Sequence, residues 1–498
     1  MHFNVKKKLA VLAGTFTICL SLLSNNLLIA QAASLDDLTS AMEARKTLPV
    51  DTNSIENWPS GPLLGAQSAI LMDAESGAIL YSKNIHEKLF PASTTKMLTC
   101  LVAVENSSLD EIVTFSREAV FSLPRGSSNI GMDEGQSITM EEALYGILVG
   151  SANEVSNAVA EHIGGTIEGY AEMMNQKAKE LGCKDSHFSN ANGLHDDNHY
   201  TSAYDLAIIA KEFYKNELLS KISGVLSYHF EPTANQPDDF ILRTHHKIVN
   251  NEFPCEGIIG GKTGYTDNAR QTLVSCAERN GMKLICVIMK EESPHQFTDT
   301  VDLFNYGFNN FELVNISENE TKYSIDNSDF FHTTNDVFGS SQPILSLNKE
   351  SHIILPKTAV FEDTVSDISY APENEKQLVK IDYSYNGSYV GSASLDVADN
   401  SASAYDFQSP AAEADGSIQS ELIKPDDSEN EDAEENIIFV NIKKVLLLII
   451  AIAGILILFF ILKSIIQNYS FARRRRNRLK RRKRRRDRMR SQYKDYDF

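Results

Sequence analysis

Three short polar motifs in a fixed order constrain this chain more than any other feature. They are Ser93-Thr94-Thr95-Lys96, Ser151-Ala152-Asn153 and Lys262-Thr263-Gly264, at separations of 58 and 111 residues. Each motif alone has an ordinary explanation, as an exposed helix face, a helix cap or a β-turn. Together they supply a serine nucleophile, two lysines, a second hydroxyl and an amide, the groups that acyl transfer through a covalent intermediate requires. The sequence therefore predicts a fold that brings the three motifs into one site.

The first motif predicts an activated nucleophile. Ser93 and Lys96 are three residues apart, so a helix places their side chains next to each other on one face. A serine hydroxyl is a poor nucleophile until a base takes its proton, and a lysine with a lowered pKa can do so. Burial and a neighbouring cation both lower a lysine pKa. We predict Ser93 as nucleophile, Lys96 as general base and Lys262 as the neighbouring cation.

The other two motifs predict proton transfer and substrate binding. Ser151 follows an apolar run and is expected in a loop after a buried helix, where its hydroxyl can relay a proton to a leaving amine. The Asn153 amide can bond a substrate backbone group. Gly264 lets an extended peptide approach a strand edge closely, while Lys262 and Thr263 can hold a carboxylate.

Hydrophobic patterning predicts an α+β fold. Residues 68–81 have the pattern of a β-hairpin, 93–213 are helix-rich, and 271–277 with 283–289 form a second hairpin. Strands at both ends of a helical middle indicate one domain of roughly 250 residues, which is ample for a single core. Short β runs from 321 to 400 predict a small β-sandwich.

The two ends of the chain predict its location. Three lysines precede the apolar stretch 9–23, and a small-residue site at 30–32 completes a secretory signal peptide, with a retained N-terminal anchor as the alternative. Residues 445–462 carry no charge, and that length nearly spans the hydrocarbon core. Because excess Lys and Arg marks the cytoplasmic side, the basic tail that follows predicts a single-pass cell-membrane protein with its bulk outside.

The distribution of charge indicates which binding partners to expect, and the cysteine content bears on disulfides and metal sites. From Lys463 onward there are 16 basic and 3 acidic residues, whereas the remainder has 31 basic and 64 acidic residues. The acidic exterior argues against nucleic acid as a partner, while the tail can also contact anionic lipid headgroups. Five cysteines remain after the signal peptide, an odd number that argues against a disulfide scaffold, although Cys276 and Cys286 lie on the two arms of one hairpin. No C-x-x-C or H-E-x-x-H pattern is present, so no metal or other cofactor is expected.

Longer stretches extend the three motifs: Ile70–Asp73, Phe90–Lys96, Asn192–His195, His199–Leu206 and Gly261–Asp267. In this combination they resemble the serine-type D-alanyl-D-alanine carboxypeptidases, the low-molecular-mass penicillin-binding proteins of peptidase family S11. The resemblance is strong over about residues 60–315. It is weaker over 350–400, where the family has a β-rich C-terminal domain.

The resemblance implies a penicillin-binding/β-lactamase-like catalytic domain followed by a small β-sandwich. It implies that Ser93 attacks the bond between the last two D-alanines of a peptidoglycan stem pentapeptide, forming an acyl-enzyme that water releases. β-Lactams would acylate the same serine and inhibit. The implied roles are general base for Lys96, proton carriers for Ser151 and Lys262, substrate binding for Asn153, Lys262, Thr263, Gly264 and Tyr265, and an oxyanion site between the backbone N–H groups of Ser93 and Tyr265.

Two departures and two alternatives accompany the resemblance. Arg270 stands where the family commonly has glycine, and a spanning helix with an Arg-rich tail replaces an amphipathic anchor. A non-catalytic cell-wall-binding protein is the main alternative, and a β-lactamase is a second one, although no convincing Glu-bearing loop is evident for fast deacylation.

The predicted segments are a signal peptide (1–32), a leader (33–60), a catalytic domain (61–315), a β-rich domain (316–400), an acidic linker (401–436), a transmembrane helix (437–462) and a basic cytoplasmic tail (463–498).

Overall fold

The computed structural model describes residues 37–323, 345–369 and 377–397. The predicted signal peptide, acidic linker, transmembrane helix and basic tail lie outside these ranges. Within them, none of the helices is both long and apolar enough to cross a membrane.

A five-stranded antiparallel sheet forms the framework of the catalytic domain, with strand order β2-β1-β9-β8-β7. Both predicted hairpins are confirmed, and they join at the centre of the sheet because β1 pairs with β9. The strands are β1 (Ser68–Asp73), β2 (Ile79–Lys83), β7 (Ile258–Thr266), β8 (Arg270–Arg279) and β9 (Met282–Glu291).

The chain between β2 and β7 is helical, as predicted, and packs on one face of this sheet. Its helices are α2 (Lys96–Asn106), α3 (Arg117–Phe121), α4 (Met140–Leu148), α5 (Asn153–Gly164), α6 (Ile167–Glu180), α7 (Ala203–Lys215) and α8 (Glu217–Ser223). Two short hairpins interrupt them, β3 (Ile112–Thr114) with β4 (Ser137–Thr139) and β5 (Ser227–Phe230) with β6 (Phe240–Arg243). Helix α2 lies at the centre and packs against α4, α5, α6 and α7, so its first eight residues are all buried. A lysine at the start of α2 is therefore placed in the domain interior.

The sheet separates two hydrophobic cores because successive side chains of a strand point to opposite faces. Cys276 belongs to the core under the helices, and Cys286 belongs to the core on the other face. Their register partners are Ile285 and Ser275 respectively. A disulfide between Cys276 and Cys286 is therefore excluded, and the five cysteines of the described chain are free.

On the opposite face of the sheet, α9 (His295–Asn310) and the segment before β1 pack against the strands and form the second core. Residues 37–46 form helix α1, and Trp58 beyond it is buried, with its indole N–H donating to the Leu80 carbonyl at 3.0 Å. The buried Lys83 ammonium donates to the carbonyls of Arg45 and Leu64 at 2.9 and 2.7 Å. The described part of the predicted leader is thus folded onto the sheet.

A second β-sheet domain follows, as predicted. Its strands form one antiparallel sheet in the order β10-β12-β15-β14-β13, with β11 pairing with β15, so the two facing sheets of a sandwich are not seen in the described residues. The β14–β15 hairpin turns at Asn386-Gly387, both with positive φ, as an Asn-Gly turn requires. The elements are β10 (Phe311–Asn315), α10 (Ile316–Asn319), β11 (Leu345–Leu347), β12 (His352–Pro356), β13 (Val365–Ser369), β14 (Gln377–Tyr385) and β15 (Ser388–Val397).

Candidate active site

Ser93 lies in a sharp turn that opens onto a cleft. It belongs to the short 3-10 helix Ala92–Thr95, which runs directly into α2. Ala92 has a φ of 50°, a left-handed conformation that side-chain-bearing residues avoid, and such strain persists only where the surroundings impose it. Gly193 packs against the Ala92 carbonyl so closely that a Cβ at Gly193 would overlap it. The Asn192–His195 stretch therefore packs directly against the nucleophile turn and supports its conformation.

Lys96 lies beneath Ser93, fully buried. Its Nζ is 2.9 Å from Ser93 Oγ, 2.7 Å from Asn153 Oδ1 and 2.5 Å from the Asn192 carbonyl oxygen. As an ammonium, Lys96 donates to all three oxygens. When the amine is neutral it has two N–H donors and one lone pair, so hydrogen bonds to the Asn153 and Asn192 oxygens leave the lone pair for the Ser93 hydroxyl. The first and second motifs therefore share one hydrogen-bond network around this amine.

Lys262 and Ser151 complete the buried part of the site. Lys262 Nζ donates to Ser151 Oγ at 3.0 Å and to the Thr263 carbonyl at 2.9 Å. Ser151 has a φ of 55°, so a second left-handed residue lies at the site, two residues before α5 begins at Asn153. Burial lowers the pKa of Lys262 to about 7. Burial, and then the charge of Lys262, hold the pKa of Lys96 well below its usual value of 10.5. The neighbouring cation expected from the sequence is therefore Lys262.

Gly264 brings β7 against the nucleophile turn. A Cβ at this position would lie 2.9 Å from the Ser93 backbone nitrogen and 3.0 Å from the Pro91 carbonyl oxygen. The Thr272 hydroxyl, opposite Gly264 in the β7–β8 register, donates to the same Pro91 oxygen at 2.8 Å. Glycine is needed here so that the strand edge and the serine can approach each other, in addition to the substrate approach expected from the sequence.

A cleft of about 410 Å³ lies over these groups. Six of the predicted site residues line this cleft, whereas Lys96 and Lys262 are buried beneath it. The six lining residues are Ser93, Ser151, Asn153, Thr263, Gly264 and Tyr265. None of the residues described as lining the cleft is Asp or Glu. The structure thus brings all eight predicted site residues together from three separate segments of the chain, at residues 93–96, 151–153 and 262–265.

Sequence reasoning missed the rest of the lining. His245 and Lys247 come from the loop before β7, Gln271 from β8 and Gln296 from α9, and Ser128 from the long loop before β4. Burial, and then Lys262, lower the pKa of His245, which favours its neutral form. The signal that could have pointed to this loop is its basic composition, Arg-Thr-His-His-Lys, in an otherwise acidic domain.

The long loop over the cleft is fixed to the second motif. Glu154, which follows Asn153, accepts hydrogen bonds from the Ile130 and Gly131 backbone N–H groups at 2.6 and 3.1 Å. The Asn153 backbone N–H donates to the Ser128 carbonyl at 3.0 Å. Burial raises the pKa of Glu154, and its carboxylate does not line the cleft. Its geometry is that of a loop anchor.

A serine bonded to a buried lysine amine, in a cleft beside a glycine-bearing strand edge, defines an enzyme of acyl transfer. A family model described as D-alanyl-D-alanine carboxypeptidase matches residues 55–293. The chain is 36% identical over 250 residues to the D-alanyl-D-alanine carboxypeptidase DacF of Bacillus subtilis, covering 50% of this chain and 63% of that relative. It is 33% identical over 259 residues to DacB2 of Mycobacterium tuberculosis, covering 50% of this chain and 84% of that relative.

The fold agrees with a solved structure. Penicillin binding protein 5 from Haemophilus influenzae superposes with a TM-score of 0.55 at 26% identity, over 68% of this chain and 98% of that one. The chain belongs to the D-alanyl-D-alanine carboxypeptidase family S11, the serine-type, low-molecular-mass penicillin-binding proteins.

Proposed function

We propose that this protein removes the terminal D-alanine from peptidoglycan stem pentapeptides through an acyl-enzyme on Ser93 and so trims the cell wall. The observation that carries the proposal is the 2.9 Å approach of the buried Lys96 amine to Ser93 Oγ. β-Lactams resemble the D-Ala-D-Ala end of this substrate and acylate the same oxygen.

Acylation begins with proton transfer from Ser93 to Lys96. Because Asn153 and Asn192 hold both N–H groups of the neutral amine, its lone pair accepts the hydroxyl proton as Oγ attacks the penultimate D-alanine carbonyl. The tetrahedral oxyanion is held by the backbone N–H groups of Ser93 and Tyr265, at the point where Gly264 brings β7 to the turn. Fixed donors of this kind stabilise charge only as it develops.

Collapse of the intermediate needs a proton on the departing amine. Ser151 Oγ is bonded to Lys262 Nζ at 3.0 Å, so Ser151 donates its proton to the D-alanine nitrogen and is reprotonated from Lys262. The C–N bond breaks and D-alanine leaves. The proton that Lys96 took from Ser93 passes to Lys262, which has given its own proton to the leaving amine, so Lys96 is neutral again. Lys96 then takes a proton from the water that attacks the ester and returns it to Ser93 Oγ as the shortened peptide departs.

The lining of the cleft supports recognition of a D-alanine carboxylate. Thr263, Lys247 and His245 all line it and supply a hydroxyl, a positive charge and an imidazole for the carboxylate. Asn153 also lines the cleft, and we assign its amide to the substrate backbone. A peptide laid along β7 is therefore held at its C-terminal carboxylate and by main-chain hydrogen bonds.

The alternatives lack support of this kind. A β-lactamase needs fast deacylation, and no acidic side chain that could assist Lys96 at the deacylating water is among the described residues that line the cleft. A purely wall-binding protein gives no reason for two buried lysines, which are costly to retain.

We further propose that the enzyme acts outside the cell membrane. The predicted signal peptide, the uncharged segment 445–462 and the basic tail after it support this topology. Such an anchor would keep the enzyme at the cell surface, and the acidic linker 401–436 would separate its folded domains from the membrane so that the cleft reaches the wall.

The test is release of D-alanine from a D-Ala-D-Ala-terminated pentapeptide by the full-length protein in detergent. We expect release by the parent and by Ser54→Ala, an exposed serine far from the motifs, and none by Ser93→Ala. A folded parent that binds labelled penicillin but releases no D-alanine contradicts the carboxypeptidase assignment for that substrate. Equal release by Ser93→Ala contradicts the assigned nucleophile.

A further inference from the structure

We propose that Arg270 is a positioning residue for Tyr265, and that the ion pair holding it extends through Glu292 to Arg45 of helix α1. This rests on the proposed function, because Tyr265 matters here as the donor of one oxyanion N–H. Helix α1, which precedes the residues matched by the family model, then influences the rate of acyl transfer.

The starting observation is a strained backbone. Arg270, the first residue of β8, has a φ of 55°, which disfavours any residue with a Cβ. Glycine, which the family resemblance leads one to expect here, would accept this conformation without strain. A side chain at this position therefore needs contacts that offset the strain.

Arg270 makes such contacts with Glu292. Its Nη2 lies 2.6 Å from Glu292 Oε2, and its Nε lies 3.1 and 3.2 Å from the two carboxylate oxygens. The side chains of Arg270 and Glu292 are only 24% and 13% exposed. This is a two-pronged, partly buried pair, which is stronger than an ordinary surface ion pair.

The other side of the guanidinium faces Tyr265. Arg270 Nη1 donates to the Tyr265 hydroxyl at 3.5 Å, and the guanidinium carbon lies 5.8 Å from the ring centroid. The Tyr265 hydroxyl in turn donates to Asp267 at 3.0 Å. Tyr265 is 50% exposed at the cleft wall, so core packing does little to fix its ring, and the contacts with Arg270 and Asp267 restrict its position instead.

Glu292 also connects to the N-terminal helix. Arg45 Nη2 lies 3.4 Å from Glu292 Oε1 and 3.9 Å from Glu291 Oε1, and its Nε donates to the Gly65 carbonyl at 2.7 Å. Arg45 is 11% exposed in its side chain. One carboxylate is therefore shared between the guanidinium of α1 and that of β8.

The connection reaches the reacting atoms through the β7–β8 register. Arg270 pairs with Thr266, directly after Tyr265, so fixing Arg270 fixes the end of β7. The Tyr265 N–H must point at the oxyanion within a few tenths of an ångström to be effective. Loss of the ion pair should then slow acylation while substrate binding, which depends on Thr263 and Asn153, changes little.

The experiment compares full-length Arg270→Gly, Arg270→Lys, Glu292→Gln, Arg45→Gln and the double variant Arg270→Gly/Glu292→Gln. Lys46→Gln is the matched control, since Lys46 follows Arg45 but pairs with exposed Glu43. The readouts are kcat and KM for D-alanine release, the rate constant for acylation by labelled penicillin, and Tm.

For Arg270→Gly we expect kcat and the acylation rate to fall about fivefold, since small losses of transition-state alignment act on the rate. KM should stay within about twofold, and Tm should hold or rise because the left-handed strain is relieved. Arg270→Lys should recover part of the rate. Arg45→Gln should fall in the same direction by about twofold, and the double variant should be no slower than Arg270→Gly, since coupled residues are non-additive.

An unchanged rate in Arg270→Gly, or a fall in rate that follows a fall in Tm, overturns the proposal. Full additivity of Arg270→Gly and Glu292→Gln also overturns it, because the two residues would then act separately. A parent that is acylated but releases no D-alanine refutes the proposed function alone, and the acylation rates still decide the role of Arg270. A parent that is not acylated refutes both.

Discussion

At the scale of single residues, the chemistry depends on two buried lysines whose pKa values are both lowered. Burial lowers the pKa of both, and the charge of Lys262 lowers that of Lys96 further. Lys96 is thereby available as a base well below pH 10.5.

This coupling predicts the pH dependence of acylation. The rate of penicillin acylation should rise with pH through an apparent pKa well below 10.5, as Lys96 loses its proton. In Lys262→Met the residual rate should show its midpoint at higher pH, because the neighbouring charge that lowers the Lys96 pKa is gone. A midpoint that stays or moves to lower pH would contradict this electrostatic role.

Lys262 also predicts how stability changes with pH. Its folded pKa of about 7 is below that of an exposed lysine, so the unfolded chain binds more protons between about pH 7 and pH 10.5. The contribution of this group to the free energy of unfolding therefore rises across that window. Urea unfolding of the parent and Lys262→Met should diverge in this direction, and parallel curves would count against the lowered pKa.

At the scale of elements, the nucleophile turn is positioned by its neighbours rather than by its own helix. Gly193 contacts it from the loop before α7, and Gly264 contacts it from β7. Both glycines lie where a Cβ would press on backbone atoms of the turn. The turn can therefore hold its left-handed Ala92 only in the complete fold.

Gly193→Ala should consequently inactivate the enzyme through displacement of the turn. Gly193 and Gly182 have φ values of 79° and 89°, but an added Cβ at Gly182 meets nothing within 4 Å. Both substitutions should cost about 1 kcal/mol of backbone strain. Only Gly193→Ala should slow acylation, by about 100-fold, because a shift of about 1 Å misaligns the reacting atoms. Equal rates in the two variants, measured with labelled penicillin, would show that the contact has no such role.

At the scale of the whole molecule, the N-terminal segment joins the catalytic and second β domains. Trp58 packs against Phe311 and Tyr385, with ring centroids 5.2 and 6.3 Å apart. The Asn386 amide donates to the Glu56 carbonyl at 2.6 Å. The turn of the second sheet is therefore fixed to the segment that precedes the family's motifs.

The proposed topology predicts a simple fractionation result. Full-length protein should sediment with membranes and require detergent, whereas a chain ending at residue 436 should be released with its acylation rate unchanged, because the site is complete within the described residues. Protease added to intact cells should leave the basic tail uncut. Soluble full-length protein would contradict the anchor.

The class of chemistry and much of the fold follow from the amino-acid sequence alone. The three motifs named seven of the eight site residues, from Ser93 to Gly264, because acyl transfer needs a nucleophile, a base and a proton donor, and the family resemblance added Tyr265. Alternating and helical hydrophobic patterns located both hairpins and the helical middle, since those patterns report which face of an element is buried. These features are local, so they can be read without knowing how the elements pack.

Features that depend on packing between separate segments became visible only in the folded molecule. Register placed Cys276 and Cys286 on opposite faces of the sheet, and close packing revealed Gly193 as a support of the turn. The lining residues His245 and Lys247, and the ion pairs of Glu292 with Arg270 and Arg45, likewise come from separate segments. No local pattern encodes such contacts, because packing brings together residues from separate elements, as far as 247 positions apart for Arg45 and Glu292.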